Sequence, residues 1–364
     1  MPHIICVGAV YMDTILTVPD FPREDTKTRA TNMIRRRGGN VGNTLEVLSQ
    51  LLPDNNLNRA TSTYRTELSL FAVLPDPQSA DTRAVIASLP DVSTRHYVYR
   101  QGQPVAASSY IIQSAANHSR TIVSSNPLHD LTHTEFTSAT QSLLDQTDEE
   151  VWFHFEGRGD PLTMFDHLYW LRRDFGYDGR VKISIELEKP ERDWLNDLRE
   201  YADVVFYSKE WAQAAGKRSP SEFIKTQVQH THDSALLVCT WGDKGAAALR
   251  KVPQGRNVHS RARAWKPLHS DSRYSQTPVD TVGAGDTFIA GMLYAYVHQK
   301  AWGVDDRLIF ANELAGRKVH QQGFAGLGQA MKSSNTWVEK LKEGNANGIA
   351  PGDADFEPEP EDED

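Results

Sequence analysis

Cysteine is scarce in this chain. Cys6 and Cys239 are the only two in 364 residues, and each lies inside an apolar run that reads as a strand. A disulfide scaffold is thereby excluded, and both thiols are expected to be reduced and buried. Long apolar runs are missing as well, since none approaches the roughly 20 residues that span a bilayer. The opening MPHIICVGAVYMDTILTV has no basic region ahead of its apolar stretch and no evident small-residue cleavage site. It does not read as a secretion signal, so the expected location is cytoplasmic. A basic excess is also lacking. The formal charge is −9, and eight acids between Asp353 and Asp364 carry most of it. The rest of the chain is nearly neutral, which gives no electrostatic case for nucleic acid. No His/Cys cluster has zinc spacing, no internal repeat is visible, and CVGAVYMD lacks the GxGxxG turn of a dinucleotide site.

What is present is an apolar fraction of 39%, enough in a chain this long for a sizeable core. The segments VWFHFEG, VKISIELE, DVVFYS and ALLVCTWG are continuous apolar strands. Helical patterns such as PLTMFDHLYWLRRDFG and KEWAQAAG lie between them. Such alternation predicts an α/β fold with a mainly parallel sheet covered on both faces. HYVYRQ, AASSYIIQS and RTIVSS read as further strands. Residues 53–66 are expected to form a surface loop, and 253–278 a long basic and polar insertion. The proline-bearing acidic tail, 345–364, is expected to be disordered.

The sharpest chemical signal is DTVGAGDTFIAG, from Asp280 to Gly291. Gly283 and Gly285 permit unusual backbone angles and close approach of a ligand. A helix follows directly, and its free N–H groups form an anion site strengthened by the helix dipole. Asp286 stands in its first turn. A carboxylate beside an anion pocket would repel phosphate, unless it is there to deprotonate a hydroxyl that attacks that phosphate. Alone, Asp286 reads equally as a helix cap.

GGNVGN supplies a second signal. Asn40 and Asn43 share one face of a helix start, and both amides can donate and accept, which suits vicinal sugar hydroxyls. Asn40 taken singly also reads as an N-cap. Asp13, at the end of the first apolar strand, stands where open parallel sheets bind ligands, although a turn-forming Asp is the plainer reading. Glu186 and Glu188 alternate on one strand face, where they serve either as ordinary strand-end carboxylates or as the holders of water around Mg2+.

DTVGAGDTF with GGNVGN resembles the two signature motifs of the PfkB (ribokinase-like) carbohydrate kinases. The likeness is greatest to the ketohexokinase branch, through CVGAVYMD, FPRED, SRTIV, HFEGR, ISIELEKP, DVVFYSKEWA, LLVCTWGDKGAAAL and GFAGL in the same order. The resemblance implies a ribokinase-like α/β/α sandwich over residues 1–330. A small β lid would come from strands near 13–35 and 96–124, and a helical extension would occupy 331–344. It implies transfer of the γ-phosphate of ATP to the C1 hydroxyl of D-fructose, with Mg2+ and a monovalent cation such as K+ as further cofactors. Asp286 would be the base, and Gly283, Ala284 and Gly285 would form an anion hole with it. Asp13, Gly39, Asn40 and Asn43 match sugar-binding positions, and Asp25 matches an acid offered to a partner subunit's site, which implies a homodimer through the lid. Arg120 matches an arginine near the phosphates, while Glu156 and Arg158 match the active-site floor. Lys209, Trp241, Gly242, Gly245 and Asn312 match the nucleotide pocket.

The chain departs from the family at LPDPQSADTR, where many relatives carry a glycine- and aspartate-bearing turn, and in its longer segments 53–66 and 253–278. The competing readings are another sugar or nucleoside kinase of the same fold, and a sugar- or nucleotide-binding protein without turnover. The intact Asp286 and its glycines weigh against the latter.

Overall fold

The computed structural model describes residues 2–52, 66–117, 119–176, 179–268 and 271–334. All but the last residue of the 53–66 loop, most of the expected C-terminal extension and the acidic tail lie outside the described residues.

The first part of the chain forms β1 (His3–Val7), β2 (Tyr11–Val18), β3 (Asn32–Gly38), α1 (Asn40–Leu51), β4 (Glu67–Leu74), α2 (Ala80–Ser88) and β5 (Tyr97–Tyr99). It continues through β6 (Ser108–Ser114), β7 (Arg120–Ser125), α3 (His133–Leu144), β8 (Val151–Glu156), α4 (Pro161–Phe175) and β9 (Val181–Leu187). Next come β10 (Val204–Tyr207), α5 (Lys209–Ala214), α6 (Pro220–Gln227), β11 (Leu236–Thr240), β12 (Ala246–Arg250) and β13 (Val258–Ala262). The helices α7 (Ala284–His298), α8 (Val304–Val319) and α9 (Leu327–Lys332) complete the described chain.

Nine strands make one sheet in the order β13-β12-β11-β10-β9-β8-β1-β4-β5. From β5 to β11 every pairing is parallel, and β12 and β13 add on antiparallel. The strands read as unbroken apolar runs because alternate residues enter two separate cores. Ile4 and Cys6 face α1 and α7, whereas Ile5 and Val7 face the layer that includes α3 and α4. The same alternation divides Val204 and Phe206 from Val205 and Tyr207. Helices on both faces complete a three-layer α/β/α sandwich.

The second sheet, β3-β2-β6-β7, is small and separate. Here β2 and β6 run parallel, flanked by antiparallel partners. Two readings need correction. Tyr97–Tyr99 lies in the span assigned to lid strands, yet it pairs with Ala72–Leu74 at the edge of the large sheet. Residues 253–278 are also more than a polar insertion, since Val258–Ala262 extends the large sheet. Beyond that strand, Trp265 and Tyr274 close over Arg317 of α8, with the guanidinium 4.8 and 5.3 Å from the two ring centres. Tyr274 accepts a 2.8 Å bond from Arg317, which is itself paired with the buried Glu313.

Candidate active site

The carboxyl ends of β1, β8 and β9 and the start of α7 converge beside the lid, where ligands of open parallel sheets bind. The geometry starts from Gly283. It caps α7 in the left-handed region, with φ at 78°, and a Cβ placed there would lie 2.4 Å from Cζ of Phe324. Glycine is thus required twice over, by conformation and by space. Thr287 returns its amide to Gly283 O at 2.9 Å, closing the first helical turn. Among the described residues the amides of Gly285 and Asp286 have no hydrogen-bond acceptor. Ala284 N is instead turned to Thr281 O at 3.3 Å. The open donors at the start of α7 are therefore Gly285 and Asp286, whereas the Ala284 amide is already engaged.

Asp286 is buried, and its Oδ2 accepts a 2.7 Å bond from Asn43 Nδ2. Asn43 in turn accepts from Arg37 Nη1 at 3.0 Å, and Arg37 is ion-paired with Glu46. Thr44 Oγ1 donates to Asp286 O at 3.3 Å, which ties α1 to α7 at a second point. Burial pushes the Asp286 carboxyl up to about 7, and the nearby Glu188 and Glu156 add to the rise. The bond from Asn43 and the charge of Arg37 oppose it. A carboxyl that ionises near neutral pH is suited to take up a proton during reaction.

Asn40 is not the N-cap of α1; Gly39 is, with φ at 98°. That leaves the Asn40 amide free to donate to Glu186 Oε2 and Glu188 Oε2, both at 3.2 Å. Burial raises the pKa of Glu186, reinforced by the charges of Asp286, Glu188 and Glu156. Glu156, at the end of β8, accepts from Ala9 N at 3.1 Å and from Arg158 Nε at 2.7 Å. Arg158 stacks over Tyr11, with its Nη1 2.5 Å from the phenol oxygen. Asp13 lies on β2 in register with Arg36 and Ser109. It crowds Gly38 so closely that a Cβ there would meet Oδ2 at 2.2 Å. Burial raises the Asp13 pKa, while a bond from Ser109 and the charges of Arg36 and Arg37 lower it.

The structure thus gathers Asp13, Gly39, Asn40, Asn43, Glu156, Glu186, Glu188 and Asp286 around one rim. Other predicted residues stand further out. Arg120 is exposed and pairs with Gln113, towards the opposite end of the lid from Ser109. Asp25 is exposed in the loop between β2 and β3, in the left-handed region at φ 58°. Lys209 opens α5, with its ammonium 5.9 Å from the Trp241 ring centre. Trp241 itself is a core residue that anchors the turn carrying Gly242 and Gly245. The amide of Asn312 is spent on Leu308 O at 3.0 Å within α8. Sequence reasoning missed Arg37, Lys318 and Phe324. A usable signal existed for Lys318, which continues the buried stripe of Leu308, Ala311 and Leu314.

A buried carboxyl that ionises near neutral pH, beside an open helix start at the carboxyl ends of a two-sided parallel sheet, is an arrangement suited to phosphoryl transfer to a small alcohol. The pfkB family carbohydrate kinase model matches residues 1–327. The chain is 31% identical over 327 residues to mouse (Mus musculus) ketohexokinase, covering 89% of this chain and 98% of that one. Among solved structures it is similar to a nucleoside kinase of Methanocaldococcus jannaschii (TM-score 0.62, 18% identity, 94% of this chain and 99% of that one). It is also similar to a ribokinase of Cryptococcus neoformans var. grubii solved with ADP (TM-score 0.60, 15% identity, 91% and 99%). The chain belongs to the pfkB family of carbohydrate kinases and is an ATP-dependent sugar kinase.

Proposed function

We propose that this kinase phosphorylates a ketohexose, D-fructose at its C1 hydroxyl, by direct attack on the γ-phosphate of ATP. The observation that carries the reading is the Asp286 carboxylate, oriented by Asn43 within one helical turn of two open amides. Asp286 takes the hydroxyl proton while the sugar oxygen bonds to the γ-phosphorus. The bond from phosphorus to the bridging oxygen breaks, and ADP leaves. The amides of Gly285 and Asp286, at the positive end of α7, receive charge on the transferring group. Asp13, Gly39, Asn40 and Asn43 face the acceptor, because all of them border Asp286 or the lid strand beside it. The likeness to ketohexokinase supports the choice of sugar.

Mg2+ would stand at Glu186 and Glu188, whose carboxylates meet at one Asn40 amide in a crowd of like charge. Hard oxygen donors of this kind suit it, and it neutralises phosphate charge when bound. The nucleotide would lie along Lys209 and the turn of Gly242 and Gly245, with Trp241 and Asn312 shaping that wall from beneath. The lid supports a homodimer. Ile34, Ile15, Ile111 and Ile122 align in register across its four strands, and Ile34 and Ile122 are exposed. A second copy covering that row would meet Arg120 on the same face, and Asp25 would be available to the partner's sugar. No described helix is long and apolar enough to cross a membrane, and the buried thiols are consistent with a reducing cytoplasm.

The test is ADP release with Mg-ATP across D-fructose, D-ribose, adenosine and a blank, beside Asp286→Asn. Fructose-dependent release that collapses in the variant supports the reading. Turnover restricted to ribose or adenosine replaces the substrate, and release that survives in Asp286→Asn removes the base. Light scattering across a dilution series tests the dimer.

A further inference from the structure

Lys318 is the most fully buried cation described, with a side chain 0% exposed. Its ammonium lies 2.8 Å from Asp280 Oδ2 and 2.9 Å from Asp280 O. The Phe324 ring stands on another side, its centre 5.1 Å away. A buried ion pair is a weak source of stability, because desolvation cancels most of the attraction. An unbranched apolar side chain would pack at this position without that cost, so the charge itself needs a reason.

Its contacts supply one. The Asp280 carboxylate that pairs with Lys318 also accepts from Val282 N at 3.1 Å and from Gly323 N at 3.1 Å. Phe324, beside the ammonium, is also the ring that leaves no room for a Cβ at Gly283. Val319, next in α8, receives the amides of Val279 and Asp280 at 2.8 and 3.1 Å. One ammonium therefore fixes both a carbonyl and a carboxylate of the residue that begins the turn into α7. Through Gly323 and Phe324 it also fixes the loop against which Gly283 rests.

We propose that Lys318 is a positioning residue for phosphoryl transfer. Its ammonium acts as an internal cation that holds the 280–283 turn in the shape that leaves the Gly285 and Asp286 amides open. The effect on rate rests on the kinase reading above; the effect on the turn does not. Lys318 touches no substrate, so its loss acts on the transferring phosphoryl group and spares acceptor binding.

Three variants test this: Lys318→Met and Asp280→Asn each remove the charge pairing from one side, and Lys318→Ala also leaves room for an added cation. The expected result is a fall in kcat of about 10- to 100-fold, somewhat below the loss of a whole oxyanion donor, with the sugar KM within about threefold of native. Methylammonium should restore part of the rate to Lys318→Ala, and the bulkier tetramethylammonium should not. In parallel, hydrogen exchange of the hydrogen-bonded turn amides of Val282, Ala284, Thr287 and Gly323 in the full chain should quicken by about tenfold or more while α4 stays unchanged. A kcat within about twofold of native in the folded variants, with exchange of those four amides unaltered, would overturn the proposal. Where Lys318→Met does not fold, Asp280→Asn decides by the same two readouts. Should the native chain show no sugar-dependent turnover, the kinase reading fails, and the exchange measurement alone decides the role of Lys318.

Discussion

Asp286 carries a cost that its replacement should relieve. Burial holds its carboxyl up to about 7 in the folded chain, against an ordinary 3.8. A carboxyl raised by folding binds its proton more tightly in the native state. The stability contributed by the protonated form is therefore complete below 3.8, declines as the pH rises towards 7, and is gone above it. A rise of about three pH units corresponds to a ceiling of about 4 kcal/mol. Asparagine keeps an oxygen to accept from Asn43 Nδ2 but never ionises, so Asp286→Asn escapes the penalty. At ~1.3 °C per kcal/mol for a chain of this size, the variant should melt up to about 5 °C above native at pH 8. The gap should narrow as the pH falls and close near pH 4, because both proteins are then neutral at this position. The assay is thermal unfolding of both proteins at pH 4, 5, 6, 7 and 8 without nucleotide or sugar, scored as the difference in Tm. Parallel Tm curves across that range would refute the reasoning, since they would mean that Asp286 ionises in the folded chain as it does in the unfolded one. The same variant should be inactive, so stability and activity should move in opposite directions.

Other consequences follow from the same geometry. In the native enzyme kcat/KM should rise with pH through about 7, as Asp286 gives up its proton, and then level off. Asn43→Ala removes the bond that opposes the raised pKa, so the midpoint of that profile should move to higher pH, with a rise in sugar KM; an unmoved midpoint would separate Asp286 from the profile. Gly283→Ala forces a Cβ against Phe324 at a left-handed position, so it should lose about 1–3 kcal/mol in denaturant unfolding and about 100-fold or more in kcat. Arg317→Met strands the buried Glu313 and opens the stack of Trp265 and Tyr274, and should cost about 3 kcal/mol by urea titration.

What could be read from the sequence divides along a physical line. Features carried by neighbours in the chain were legible. The Gly283–Asp286 turn, the helix after it, and the strands β8 to β11 each announce themselves through local conformation or an unbroken apolar run, whose continuity follows from burial on both faces. Features made by distant pairing were not. That Asn43 orients Asp286 depends on residues 243 apart in sequence, and that Asn40 meets Glu186 depends on a separation of 146. The residue types allowed those bonds without specifying them. Tyr97–Tyr99 was placed with the lid because a three-residue strand carries too little pattern to show which sheet it joins, and its partner β4 decides that. Val258–Ala262 was hidden because a sheet-edge strand needs apolar residues on one face only, and Val258 is exposed.

Lys318 and Arg37 mark the deeper limit. A cation in a buried stripe violates the pattern that otherwise identifies a core face, and such violations gather where function constrains the fold. Arg37 is the third of three consecutive arginines, and composition alone cannot rank them. Arg37 is buried because it pairs across the lid with the buried Met12, whereas Arg36 pairs with Asp13 at the rim and Arg35 reaches Asp81 at 2.6 Å. Strand parity separates Arg37 from Arg36, and its place at the end of β3 beside α1 separates it from Arg35, so that Asn43 and Glu46 receive it. A shift of one residue in the β2–β3 register would bury a different arginine and leave Asn43 without its donor. The orientation of Asp286 therefore depends on the β2–β3 register as well as on the twelve-residue motif that contains it.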